Sequence, residues 1–384
     1  MSGSNILHNM PYWRLSGFYF LFFVTVGIFL PFWSLYLKSI GMNSTEIGIL
    51  SSVLVFSKIF ISYFWGWIVD HTGKRMRVIQ VTSLFSFLIF AAALVVRDFH
   101  GLLLVLFLFS LFWSAALPQV EAATLSHLGE ATHAYTQVRV WGSIGFILVV
   151  WILGLALDHI DIQLVPLFIL ISTGLVWLAS LTIPELDNGD RGIQGDSIRV
   201  ILGRPDVLAL MAICFLMLFS HGPYYTFYSI YLEDNGYSRT FIGEMWALAV
   251  LAEVILFLFM QRIFRVIPLR IILLASLVLA MVRWLCIGFF IENIVLLVLA
   301  QLLHAATFGS FHAAAIQYIH RLFSGRLQGR GQALYSSISF GAGMALGSIS
   351  SGLLWDTAGA QVCFTLAALI TFVATLVTWV WIRD

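Results

Sequence analysis

Charge is what this sequence has least of. Lysine, arginine, aspartate and glutamate make up 10% of its 384 residues, against about 25% in an average soluble domain. Apolar residues reach 60% and mean hydropathy is +0.96, a balance that excludes an ordinary water-soluble enzyme. Cysteine is scarce as well: Cys214, Cys286 and Cys363 lie far apart within apolar runs, with neither disulfide nor metal spacing. There is no phosphate-binding glycine loop, nucleophile elbow or His/Cys ligand pattern, so no enzyme, cofactor or metal site is expected. Alternating segments of ~10 residues, the mark of a membrane β-barrel, are missing too. A net charge of +1 singles out no charged partner, and nucleic acid is not expected as one.

Long apolar runs are plentiful. Twelve are long enough to cross ~30 Å of hydrocarbon as helices, at roughly 13–38, 44–69, 78–97, 101–127, 135–157, 162–183, 206–232, 240–261, 268–290, 293–319, 332–355 and 360–382. The first is too long for a signal peptide and ends without a small-residue cleavage site, so it counts as a span. The longest polar break, PELDNGDRGIQGDSIRVILGRPD from Pro184, divides six spans from six. The expected fold is all-α integral membrane: a six-helix bundle over 1–183, a linker over 184–205 with Ile198 to Leu202 read as loop, and a second bundle over 206–384. Of twenty Lys and Arg residues, fourteen fall on one side of the spans and three on the other. By the positive-inside rule both termini and the linker are cytoplasmic.

The chain repeats itself. YLKSIGMNSTEIG from Tyr36 and YLEDNGYSRTFIG from Tyr231 share six of thirteen positions at an offset of 195 residues, close to half the chain. A period of that length means two related halves. The same offset carries Lys58 onto Glu253, two opposite charges at matching places in apolar runs.

Five ionisable side chains sit inside the spans: Lys58, Glu121, Arg139, Glu253 and Arg283. Each, unpaired at a bilayer centre, costs roughly 2.5–3.5 kcal/mol, so together they are expected to face one another or a wet cavity. Gly142, Ser143 and Phe146 share the helix face of Arg139 and make a floor for a planar ligand. Trp246 lies two turns before Glu253, and Phe32 and Trp33 are further candidates to line the cavity. His304 and His312 are eight residues apart, about 80° round a helix, and both are candidates to edge it; His221, beside Gly222 and Pro223, fits a kink. Three positive and two negative groups leave a site of charge +1, which a monocarboxylate would neutralise.

GWIVDHTGKRMR, Gly66 to Arg77, resembles the signature loop of the major facilitator superfamily, with His71 in a usually basic slot. Gly66 is expected to allow close helix approach, Asp70 to end the span and meet a neighbouring helix N-terminus, Gly73 to make the turn, and Lys74 and Arg75 to stay cytoplasmic. The resemblance implies a gating role for these five and two pseudo-symmetric six-helix bundles. Glu121 followed by Arg139, and the order Glu253, Arg283, His304, are similar to lactose-permease-like proton symporters. Those place a second Glu one turn after the His, where Thr307 stands here. GIFLPFWSLYL, Lys58, RVWGSIGF, Ala252-Glu253, Arg283-Trp284 and His304 with His312 resemble the phenylpropionate permease family. The resemblance implies a proton-coupled importer of a small organic solute, an aromatic monocarboxylate such as a phenylpropionate. Its setting is the bacterial inner membrane, as a monomer meeting only substrate, protons and lipid. Substrate binding then falls to Lys58, Glu121, Arg139, Phe146, Trp246, Arg283, His304 and His312, and proton coupling to Glu253, Glu121 and His304. A neutral sugar or nucleoside symporter, and a non-transporting receptor or scaffold, are the alternatives.

Overall fold

The computed structural model describes residues 10–129, 134–185, 203–323 and 327–383. Most of the expected linker, including 198–202, lies outside them. Eleven helices among the described residues are long and apolar enough to cross a membrane. The last, Gln328–Trp381, has 54 residues and as one helix would extend ~80 Å, more than twice the hydrocarbon thickness. At Gly359 the backbone turns left-handed, with φ 84°, so this stretch makes two crossings and the described residues make twelve. They are named α1 (Tyr12–Ser39), α2 (44–72), α3 (Arg75–Leu94), α4 (Phe99–Leu128), α5 (Tyr135–Leu157), α6 (Ile162–Ser180), α7 (Pro205–Asp234), α8 (Arg239–Val266), α9 (Leu269–Phe289), α10 (Ile294–Leu322), α11 (328–358) and α12 (360–381).

With an even number of crossings, the first and last described residues lie on one face. Five of the six helices that start on the opposite face carry their own caps. Asn43 forms a capping box with Glu46 at α2, Asp98 accepts from the Gly101 N–H at α4, and Ser238 from the Phe241 N–H at α8. Asp161 and Asn293 do the same at α6 and α10. Each cap satisfies an N–H that the first helical turn leaves open. The starts of α1, α3, α5, α7 and α9 have no such side-chain cap. At α3 a carboxylate from elsewhere substitutes: Glu185, just past α6, accepts from the N–H of Met76 at 2.9 and 3.0 Å and of Arg77 at 3.3 Å.

Across the two sets of six, α5 packs on α8 and α2 on α11. Three helices are irregular near mid-depth. The α2 helix is interrupted at Ser57, α10 widens into a π-helical turn over Ala305–Ser310, and α11 into another over Ser337–Gly343. Such turns inside helices concentrate at functional sites.

Candidate functional site

The helix bounds place the ionisable groups in three layers. Lys58 and Glu253 each lie at the midpoint of their helix, 44–72 and Arg239–Val266. Glu121 and Arg139 lie roughly two turns, about 10 Å, nearer the face that carries the termini. Arg283 and His304 lie about one turn toward the other face. The five charges therefore do not share one depth: the pair matched by the internal repeat stands at the midpoint and the other three do not. Both π-helical turns meet that middle layer. Gly309 packs so closely that an added Cβ would stand 3.0 Å from Glu253 Cγ, and one on Gly341 would stand 2.5 Å from Ile59 Cγ1.

In the second half, the Glu253 carboxylate lies 3.8 Å from His304 Nε2, with 18% and 5% of the two side chains exposed. Arg283 is fully buried. Its guanidinium sits over Tyr224 at 4.2 Å and Trp284 at 4.7 Å, while Nε donates to the Ala300 carbonyl at 2.9 Å and Nη1 to Thr307 Oγ1 at 3.4 Å. Tyr224 donates to Gln301 Oε1 at 2.9 Å. Around this core, Arg283 Nη2, Gln301 Nε2, Tyr228 Oη, His221 Nε2 and His304 Nδ1 are buried without protein partners.

In the first half, Arg139 Nε lies 4.0 Å from Glu121 Oε1, and 30% and 38% of the two side chains are exposed. The guanidinium stacks on Phe23 at 4.0 Å and faces Tyr19 at 5.6 Å. Gly142 makes room for it, since a Cβ there would meet Nη1 at 2.8 Å. Charged surface this open within a span belongs against water and not against acyl chains.

At the face away from the termini the halves are tied together. The Asp158 carboxylate, at the end of α5, accepts from the N–H of Arg239 at 2.8 Å and of Thr240 at 3.1 Å, and from Thr240 Oγ1. Asp356, at the end of α11, accepts from the N–H of Ser44 at 3.1 Å and from its Oγ. Each carboxylate thus caps the first turn of a helix in the other half, α8 or α2. One to two turns before each, bare backbone meets bare backbone. A Cβ on Gly243 would strike the Val150 carbonyl at 2.1 Å, and one on Gly48 the Ser348 carbonyl at 2.7 Å and Gly352 Cα at 2.9 Å. Gly48 and Gly243 are repeat mates at offset 195, and GLALD, Gly154–Asp158, recurs as GLLWD, Gly352–Asp356, at offset 198. Lys38 and Asp234 pair across the same face.

A family model, described as MFS_1 like, matches residues 12–366. The chain belongs to that family, within the major facilitator superfamily. It is 30% identical over 353 residues to the probable 3-phenylpropionic acid transporter of Escherichia coli (strain K12), covering 91% of this chain and 92% of the relative. It is 25% identical over 367 residues to the maltose permease of Geobacillus stearothermophilus, covering 92% and 91%. A crystal structure of the nucleoside transporter NupG superposes with a TM-score of 0.81 at 18% identity, over 97% of this chain and 99% of that one; this likeness bears on fold alone. The chain is thus a major facilitator transporter with that superfamily's fold, and not an enzyme.

Several residues singled out in this MFS_1 like transporter stand elsewhere than their sequence suggested. Phe146 is buried against Gly27 of α1, and Trp246 is buried on Tyr224 with its Nε1 donating to Ser229 Oγ at 3.0 Å. Phe32 and Trp33 are buried as well. None of the four offers an open ring face, because each is packed into a contact between helices and fills it. Their place as aromatic partners of the charges is taken by Phe23, Tyr19 and Tyr224, of which only the run GPYYTFY from Gly222 carries a signal. His312 is half-buried and tied to Tyr335 Oη at 2.7 Å through Nδ1, as a strut between α10 and α11. In the signature loop Gly73 takes φ 67° and closes α2, as its spacing requires, and Arg75 Nη1 reaches Ser126 Oγ at 3.4 Å. Lys74 precedes the first turn of α3. Gly66, however, faces open space and not a helix. Asp70 is exposed and accepts no hydrogen bond among the described residues; the helix-capping role expected of it is filled by Glu185, Asp158 and Asp356.

Proposed function

We propose that this transporter is a proton-coupled symporter for a small aromatic monocarboxylate, working by alternating exposure of the chamber between two six-helix units, 1–183 and 206–384. The supporting observation is the set of ionisable groups inside the spans: a Glu253–His304 pair in the second half and a Glu121–Arg139 pair in the first, with net charge +1 over the five span charges. A monoanion balances that charge. Glu253 is the proton carrier, since it lies at mid-depth within reach of both His304 and the chamber. With Thr307 in place of a second carboxylate, Glu253 carries the proton alone, and Glu121 holds Arg139. One proton moving with one monoanion transfers no net charge, so the pH gradient drives uptake. The phenylpropionic acid relative supports an aromatic acid as cargo. The ties at Asp158 and Asp356 close the face away from the termini; the basic-residue count makes that face periplasmic in an inner membrane. Asp70 and its loop belong to the opposite gate.

The maltose permease relative favours a neutral sugar as second reading. A thermal-shift screen of purified protein against aromatic acids, sugars and nucleosides separates the two. Stabilisation by 3-phenylpropionate, lost in Arg139→Ala, is expected. Stabilisation by maltose with none from any acid would refute the proposal.

A further inference from the structure

The three span cations are not equivalent, and we infer that Lys58 holds the carboxylate of the transported anion. This inference rests on the monocarboxylate reading and names the atom that recognises it. Arg139 already has a carboxylate, Glu121, and an aromatic bed on Phe23. Arg283 is walled in by Tyr224 and Trp284, with two of its nitrogens committed to Ala300 and Thr307. Lys58 has no hydrogen bond or ion pair among the described residues, yet its side chain is exposed.

The helix wheel shows what it is exposed to. At 100° per residue, Phe56, Phe60 and Trp67 project about 160–180° away from Lys58, and these are exposed large apolar rings suited to lipid. Ser57, about 100° to one side, bonds to Ser110 and Ser114 of α4. Ile59, about 100° to the other, packs on Gly341 of α11, and its carbonyl accepts from Ser337 Oγ at 3.4 Å. Lys58 therefore points between a helix of its own half and a helix of the other, into the chamber, at the same depth as Glu253. An ammonium on a flexible stem, with three donors and no resident counter-charge, is left open for an anion brought from outside.

The test is calorimetric titration of purified protein with 3-phenylpropionate and with its neutral isostere, 3-phenylpropanamide. Wild type should prefer the acid by about 100-fold, the scale of a desolvated ion pair. In Lys58→Gln that preference should fall to within about threefold while amide binding persists, which also shows the variant is folded; Lys58→Arg should keep most of it. A wild-type preference that survives in Lys58→Gln overturns the assignment and leaves the monocarboxylate reading standing. Failure of wild type to bind the acid overturns both.

Discussion

Removing both latch carboxylates, as Asp158→Ala with Asp356→Ala, should open the face away from the termini. Each carboxylate caps a helix belonging to the other half, so its contribution exists only while that face is closed. Losing a capping side chain costs about 1 kcal/mol, and losing a negative charge from a helix N-terminus a further ~0.3–1 kcal/mol at an exposed site. Both Asp158 and Asp356 are exposed, so a value in the lower half of that sum, about 1.5 kcal/mol per latch, applies. Together they make about 3 kcal/mol, on the order of a 100-fold shift between closed and open populations. Spin labels at Ile160 and Thr357, exposed positions in opposite halves on this face, report it by pulsed dipolar spectroscopy. The ratio of long to short distances should rise about tenfold in each single variant and about 100-fold in the double. An unchanged distance distribution in the double variant would refute the latch. Acidity supplies a second check. Partial burial raises the Asp158 carboxyl, but the bonds from Thr240 and the Arg239 N–H outweigh it and hold the group below its usual range. A depressed value contributes stability above the ordinary carboxylate pKa of ~3.9 and loses it only as pH falls through the lower, closed-state value. The Asp158 latch should therefore be indifferent to pH between about 5 and 8.

Three further outcomes follow from the packing. Arg283→Met should leave thermal stability unchanged or raise it, because an apolar chain of similar volume replaces a fully buried cation, while transport is lost; a large drop in melting temperature would contradict this. Gly73→Ala should cost about 1 kcal/mol, since φ 67° suits glycine and strains a residue with a Cβ, measurable as a lowered midpoint in thermal unfolding. His312→Ala should cost about 1 kcal/mol through the lost Tyr335 bond and leave proton coupling intact, in contrast to His304→Ala.

The spans, the two-half organisation of the sequence and the loop at Gly73 are legible because hydrophobic runs, a 195-residue repeat and a left-handed glycine leave direct marks on sequence. Pairing is partly legible: the order of charges points to Glu121 with Arg139 and Glu253 with His304, and in the structure they are neighbours. Depth is within reach as well, since the expected span 135–157 coincides with α5 and already places Arg139 only about one turn inside it. Which aromatics stay open escapes, because Phe146 and Trp246 differ from Phe23 only in what the neighbouring helix puts opposite them. The latches leave a mark, GLALD repeated as GLLWD, but acidic residues near span ends carry little weight in topology counting.

The central claim is coupling of one proton to one monoanion through Glu253, and flux in proteoliposomes tests it most directly. Adding 3-phenylpropionate outside should draw protons inward one for one with the labelled acid, at a rate unchanged when the membrane potential is varied at fixed pH difference. Glu253→Gln should retain binding and abolish proton movement. Substrate-driven proton flux that persists in Glu253→Gln, or uptake that follows the membrane potential, would contradict the account.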